Sequence, residues 1–227
     1  FIGEMIMNRI AFTTLGCKVN LYDSEAMAEL FAEKGYEIVD FEDVADIYVI
    51  NTCTVTNFGD KKSRQMIRRA RRQNKNSIIV ATGCYAQVAP QTVAEIEGIN
   101  IVIGTKDRGK VVEIVENYRS ENGVLNAVTD IKGEKEFERL KVSNLKDRTR
   151  AYIKIQEGCN RYCTYCIIPY ARGPVRSRKP EDVIDEVKTL AKNGFKEVVL
   201  TGIHVASYGL DLENITLADI IEQVHSV

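Results

Sequence analysis

Histidine is scarce in this 227-residue chain, with His204 and His225 its only two. Structural zinc sites are closed tetrahedra built from separated cysteine pairs or from cysteines with histidines. No second C-x2-C pair accompanies Cys163 and Cys166, so zinc is the weaker account of the six cysteines. Long apolar runs are also missing. None approaches the ~20 residues of a membrane-spanning helix, and the opening FIGEMIMNR has no basic segment followed by a sustained apolar one. No membrane partner is expected, and a cytoplasmic location is. In a reducing compartment, cysteines argue for metal binding or catalysis over disulfides. A chain that begins with Phe1 reads as processed, tagged or trimmed, with Met5 or Met7 as its natural start.

Three of the cysteines stand within eight residues, Cys159, Cys163 and Cys166 in the segment EGCNRYCTYC. Three thiolates so spaced can hold three corners of an iron-sulfur cube and leave the fourth iron without a protein ligand. Four-cysteine clusters serve electron transfer, whereas an open iron can take a small molecule. The plain alternative is three structural or incidental thiols, but intracellular cysteines at such spacing usually bind metal.

The net charge of −1 conceals a local excess of one sign. Lys61, Lys62, Arg64, Arg68, Arg69, Arg71, Arg72 and Lys75 follow one another with no acidic residue between Lys61 and Lys75. At ~100° per residue, Lys61, Arg64, Arg68, Arg72 and Lys75 fall on one helical face, and Met66, Ile67 and Ala70 fall opposite. Surface helices normally mix signs to limit repulsion. A cationic face of this kind suits a polyanion, RNA first among the candidates, with Arg64, Arg68 and Arg72 as the phosphate contacts. The alternative is a solvated surface helix.

The N-terminal half repeats one pattern. IAFTTLGC (Ile10 to Cys17), IYVINTC (Ile47 to Cys53) and IIVATGC (Ile78 to Cys84) are each an apolar, β-branched run ending in a cysteine, and each reads as a buried parallel strand. Helices are expected between them, over Tyr22 to Lys34, opened by Asp23-Ser24 and closed by Gly35, and over Asp60 to Asn74. A helix over Pro90 to Glu97, a strand over Ile99 to Ile103 and a helix over Asp107 to Arg119 follow. Such alternation predicts an α/β fold, an N-terminal open parallel sheet with flanking helices, all strand C-termini on one edge. Ligands of open α/β sheets bind beyond that edge, so Cys17, Cys53 and Cys84 are candidate ligands of a second shared metal site. A lone cysteine at a strand end is otherwise an inert small hydrophobe.

The chain turns polar from about Ser120. The expected organisation is an N-terminal cluster domain over residues 8–120, a linker over 121–146 and a second domain over 147–227. The second domain runs strand (Ala151 to Gln156), cysteine loop, helix (Pro180 to Lys192) and strand (Lys196 to Leu200), the first part of a partial (β/α) barrel with the cluster at its C-terminal mouth. Only two strands and the start of a third unit fit before Val227, so the sequence reads as a piece of a longer protein. Arg172, Arg176 and Arg178 are candidates for gripping a phosphate or a carboxylate. His204 reads as a packed or solvent-facing imidazole.

C-x3-C-x2-C with an aromatic residue, Tyr165, before the last cysteine resembles the cluster motif of the radical SAM enzymes. Together with LGCKVN (Leu15 to Asn20), NTCTVT (Asn51 to Thr56), TGCYAQ (Thr82 to Gln87), Gly158-Cys159-Asn160, Cys166 through Gly173 and Arg176-Ser177-Arg178, it is similar to the methylthiotransferase family. The resemblance runs from about Arg9 to Gly209. LGCKVN and NTCTVT are more similar to the branch acting on threonylcarbamoyladenosine in tRNA than to the isopentenyladenosine or ribosomal-protein branches. The resemblance implies an enzyme with two 4Fe-4S clusters, one on Cys17, Cys53 and Cys84 and one on Cys159, Cys163 and Cys166. S-adenosylmethionine would sit on the latter, contacted by Tyr165 and by Thr201-Gly202. Its reductive cleavage would give a radical that takes hydrogen from C2 of the adenine, and the other cluster would deliver sulfur. A tRNA, an electron donor and a sulfur source are implied partners. The remaining barrel and an RNA-binding domain are missing, so the piece alone is expected to be inactive. Two rivals stay open: a non-catalytic iron-sulfur electron carrier, and an RNA-binding module with structural metal.

Overall fold

The computed structural model describes residues 9–54, 57–143 and 149–227, with residues 57–60 as backbone only. Met5, Met7, Val55, Thr56 and the expected boundary at 146/147 lie outside the described residues. The chain divides into two compact units, Phe1–Gly16 with Met27–Thr129, and Cys17–Ala26 with Asp130–Val227.

In chain order the N-terminal elements are β1 (Arg9–Thr14), α1 (Lys18–Glu33), β2 (Glu37–Val39), β3 (Ile47–Thr52), α2 (Asn57–Gln73), β4 (Ile78–Gly83), α3 (Cys84–Val88), α4 (Pro90–Ala94), β5 (Ile101–Val102), α5 (Val111–Glu116) and β6 (Leu125–Asn126). The strands form one sheet in the order β2-β1-β3-β4-β5-β6, parallel throughout. Every residue of β3 and β4 is buried, as continuous apolar strands covered on both faces require. Alternation along each strand splits the core in two. Tyr48, Ile50, Ile79 and Ala81 pack with Ile67 and Ala70 of α2. Ile47, Val49 and Val80 pack with Met27 and Phe31 of α1 and Val111 and Val115 of α5. Each fully buried side chain of this size contributes about 1.5–3 kcal/mol. The result is the open α/β sheet that the sequence predicts.

Several boundaries differ from those predicted. Helix α1 starts at Lys18, not at the Asp23-Ser24 pair. Both residues are buried, and the Asp23 carboxylate pairs with distant cations instead of capping, so tertiary ion pairing overrides its local preference for a helix start. The helix expected over Asp107 to Arg119 shrinks to a 3-10 turn, Arg108–Lys110, and α5, and Asp107, with a left-handed backbone at φ 62°, stays outside it.

The second unit contains β7 (Arg150–Glu157), α6 (Ile168–Arg172), β8 (Arg176–Ser177), α7 (Pro180–Lys192), β9 (Glu197–Gly202) and α8 (Leu217–His225). Its sheet has the order β8-β7-β9. Strands β7 and β9 are parallel, with Gln156 opposite Gly202; the short β8 runs antiparallel. Ala151, Ile153 and Ile155 of β7 pack on Val183, Val187 and Leu190 of α7 and Ile220 of α8. Helix α7 has Pro180 at its first turn followed by Glu181 and Asp182, a start that suits both the missing N–H and the helix dipole. Among the described residues no helix is long and apolar enough to cross a membrane.

Candidate functional site

The three-cysteine loop leaves β7 and returns through α6, and its base is closed at several points. Cys159 N donates to Gly173 O at 3.0 Å, and Asn160 Oδ1 accepts from Val175 N at 3.0 Å. Gly158 has φ 74°, and a Cβ there would lie 1.7 Å from Pro174 O, so only glycine allows the two ends to meet. Cys166 N closes a turn on Cys163 O at 2.8 Å. Cys163 is exposed, and Cys159 and Cys166 are half-buried. None of the six cysteines is in a disulfide. Tyr165 is 90% exposed.

Gln156, which no sequence motif marks, braces the loop from below. Its side-chain amide donates to Glu157 O at 2.7 Å and Gly158 O at 2.8 Å, and its Oε1 accepts from His204 N at 2.7 Å. It thus ties the start of the cysteine loop to the end of β9. A Cβ on Gly202 would come within 2.9 Å of Gln156, so the Thr201-Gly202 step lies against this amide. No single-sequence pattern marks such a glutamine. His204 is half-buried, and its Nδ1 lies 2.7 Å from Ser207 Oγ, which agrees with a packed imidazole.

The three arginines after the loop are not anion grips. Arg172, Arg176 and Arg178 are buried and spent on carboxylates of the same unit. Arg172 Nη1 lies 2.5 Å from Glu157 Oε1 and 3.0 Å from Asp23 Oδ2. Arg176 Nη2 lies 3.6 Å from Glu157 Oε2, and Arg178 pairs with Glu186. Tyr22 completes the last group, its hydroxyl 2.7 Å from Leu140 O and 3.2 Å from both Glu186 oxygens. Burial pushes the Glu186 carboxyl up, with Arg178 only partly offsetting it. Burial and then Glu186 hold the Tyr22 phenol well above its ordinary value.

In the first unit, the C-terminal ends of three strands carry the second cysteine set or lead to it. The order β2-β1-β3 reverses at β1, and in sheets of this order the ligand crevice opens between the strands on either side of the reversal. Leu15 N donates to Asn51 O at 2.9 Å, which prolongs the β1–β3 pairing to two residues before Cys17. Thr52 and Gly83 are register partners, so Cys53 and Cys84 each follow directly on a paired residue. Cys53 is 7% exposed and Cys84 3%. Gly83 has φ 93°, and its Cβ would lie 2.3 Å from Asn51 Oδ1 and 2.4 Å from Thr52 O. Gly83→Ala is therefore expected to lower stability by at least the ~1–3 kcal/mol of the backbone strain alone, read as a drop in the urea midpoint; an unchanged midpoint would show that the turn relaxes freely. Cys17 is grouped with the second unit. Among the described residues no three Cys, His, Asp or Glu side chains are gathered tightly enough for a single ion.

Helix α2 divides its cations. Arg71 is structural: its guanidinium donates to Ser77 O at 3.0 Å, Gly98 O at 2.7 Å and Asn100 Oδ1 at 2.7 Å. Arg69 pairs with Glu42. Lys61, Lys62, Arg64, Arg68 and Arg72 are exposed and line one concavity of about 910 Å³.

Residues 9–104 match the uncharacterized protein family UPF0004, and residues 153–225 match the Radical SAM superfamily. The chain is 53% identical over 218 residues to the threonylcarbamoyladenosine tRNA methylthiotransferase MtaB of Bacillus subtilis, covering 96% of this chain and 48% of that protein. The MtaB of Aquifex aeolicus is 47% identical, with 89% and 50% covered. A tRNA-2-methylthio-N(6)-dimethylallyladenosine synthase of Thermosipho melanesiensis is 39% identical, with 92% and 47% covered. Among solved structures, the radical S-adenosylmethionine methyltransferase TsrM of Kitasatospora setae, with cobalamin and a 4Fe-4S cluster bound, superposes with a TM-score of 0.62 over 97% of this chain and 54% of that one. At 19% identity it shares the fold alone. The chain spans about half the length of the curated relatives it matches. Over nearly its whole length the chain is thus similar to tRNA methylthiotransferases, and its residues 153–225 match the Radical SAM superfamily.

Proposed function

We propose that the protein adds a methylthio group to C2 of threonylcarbamoyladenosine in tRNA, with a 4Fe-4S cluster and S-adenosylmethionine at Cys159, Cys163 and Cys166, and a second cluster on Cys17, Cys53 and Cys84. The observation that carries the radical site is the cysteine loop itself, three thiols on a segment pinned at Gly158 and Gly173. The donor set fits the group: three soft thiolates suit iron-sulfur ligation, and no fourth cysteine closes the loop. When bound, such a cluster supplies the electron for reductive cleavage of S-adenosylmethionine. Tyr165 offers an exposed ring face to the adenine. Gly202, held against Gln156, and Thr201 before it would offer backbone polar groups to the methionyl end. The higher identity to the two MtaB proteins than to the dimethylallyladenosine enzyme favours threonylcarbamoyladenosine. The test is incubation of the complete, cluster-loaded protein with tRNAs bearing each modification. Product on the threonylcarbamoyl tRNA supports the assignment, and product on the isopentenyl tRNA alone overturns it. An electron donor, a sulfur source and a cytoplasmic site of action belong to the same proposal.

The exposed face of α2 is the proposed tRNA contact. Replacing Arg64, Arg68 and Arg72 by alanine is expected to weaken binding for every tRNA and to flatten the dependence of log K on log salt by about one unit per lost phosphate contact. A salt slope equal to that of the unaltered complete protein would reduce the helix to a solvated surface.

A further inference from the structure

Lys154, Asp23, Glu157 and Arg172 are fully buried in the second unit. Lys154 Nζ lies 2.6 Å from Asp23 Oδ1 and 3.3 Å from Glu157 Oε2, and over the rings of Phe137 and Tyr22 at 5.4 and 5.6 Å. Arg172 bridges Glu157 and Asp23 and also donates to the side-chain oxygen of Asn20. Buried ion networks are often no more stable than apolar packing of equal volume, and their best-attested use is to fix one arrangement among several.

What this network fixes follows from where its members sit. Glu157 is the last residue of β7 and Arg172 the last of α6, so the pair spans both ends of the three-cysteine loop. Asn20 and Asp23 are one turn apart on α1 and share a face. That turn begins at Cys17: Leu21 N donates to Cys17 O at 3.1 Å, and Cys17 Sγ lies 4.0 Å from Asn20 Oδ1. From the backbone of Cys17 through Asn20, Arg172 and Glu157 to Cys159, each step is a turn of helix, a hydrogen bond, an ion pair or two residues of chain. All of these residues belong to one unit.

We propose that Asn20 and Asp23 are positioning residues, which act through Arg172 and Glu157 to hold Cys17 at a fixed distance from the three-cysteine loop. Resting on the two-cluster reading above, the network would hold Cys17, one ligand of the second cluster, in place against the base of the loop that carries the first. It requires no direct contact of Asp23 with substrate or cofactor.

The test uses the complete protein, reconstituted anaerobically with iron and sulfide. In Asp23→Asn/Lys154→Met a carboxylate and its ammonium partner are removed together, which keeps the unit folded where Asp23→Asn alone leaves a buried ammonium short of a carboxylate. The expected double variant carries the iron and sulfide of the parent. Its spin–spin interaction between the two reduced clusters is altered, and amide exchange is faster over residues 18–26 and 158–173 but not over β3 and β4. Methylthio product falls at least tenfold while cleavage of S-adenosylmethionine persists. Asn20→Ala, which removes no charge, is expected to shift the same signals less. An unchanged interaction spectrum together with unchanged exchange overturns the tether. Iron for only one cluster in the parent protein overturns the two-cluster reading instead, and the exchange measurement then still decides whether α1 braces the loop.

Discussion

Replacing Cys163 by alanine in the complete protein is expected to bring deoxyadenosine formation to background and methylthio product with it. Cys163 is exposed and supports none of the apolar core, so its loss should change folding stability by no more than the ~0.5 kcal/mol typical of surface positions. What it removes is one of the three ligands proposed on the loop. Cys53→Ala should behave differently. Cys53 lies in the first unit beyond β3, remote in sequence from the loop, and its loss should leave cleavage of S-adenosylmethionine largely intact while no methylthio product forms. Cleavage by the Cys163 variant, or full product from the Cys53 variant, would overturn this division of labour.

The second large effect is one of stability. Arg172→Met is expected to destabilise the chain by about 3–5 kcal/mol, the range for removing one partner of a buried pair and leaving the other charged. Asp23 and Glu157 both face this guanidinium, at 3.0 and 2.5 Å. Since whole domains are stable by only about 5–15 kcal/mol, the loss should appear as a lower urea midpoint and as poorer cluster loading, because the base of the cysteine loop would no longer be closed. Arg172→Lys should recover only part of it, since an ammonium cannot reproduce the planar fork that reaches Asp23, Glu157 and Asn20 together. A loss below about 1 kcal/mol for Arg172→Met would show that the network relaxes around the missing cation.

Much of the fold could be read from local pattern. IYVIN and IIVAT announce buried parallel strands, and both are buried at every position. Pro180-Glu181-Asp182 marks the start of α7 where the structure has it. The basic run falls on a helix whose Ile67 and Ala70 are buried and whose Arg64, Arg68 and Arg72 are exposed. Patterns failed where the decisive partner is distant in sequence. Asp23 reads as a helix start but pairs with Lys154 and Arg172, more than a hundred residues on. Arg172, Arg176 and Arg178 read as anion grips, yet their carboxylates are supplied from within the fold. Gln156 carries no motif, and only the register of Gln156 with Gly202 brings its amide between the cysteine loop and the end of β9.

Cys159, Cys163 and Cys166 are proposed to hold a cluster with one iron left open for S-adenosylmethionine. This is tested most directly by electron paramagnetic resonance of the anaerobically reconstituted, reduced protein before and after S-adenosylmethionine is added. The spectrum is predicted to shift, and to shift also in a Cys17→Ala/Cys53→Ala/Cys84→Ala variant, in which the loop cluster alone remains and no second cluster couples to it. A fully loaded cluster whose spectrum is indifferent to S-adenosylmethionine would contradict the account and leave a coordinatively complete electron carrier in its place.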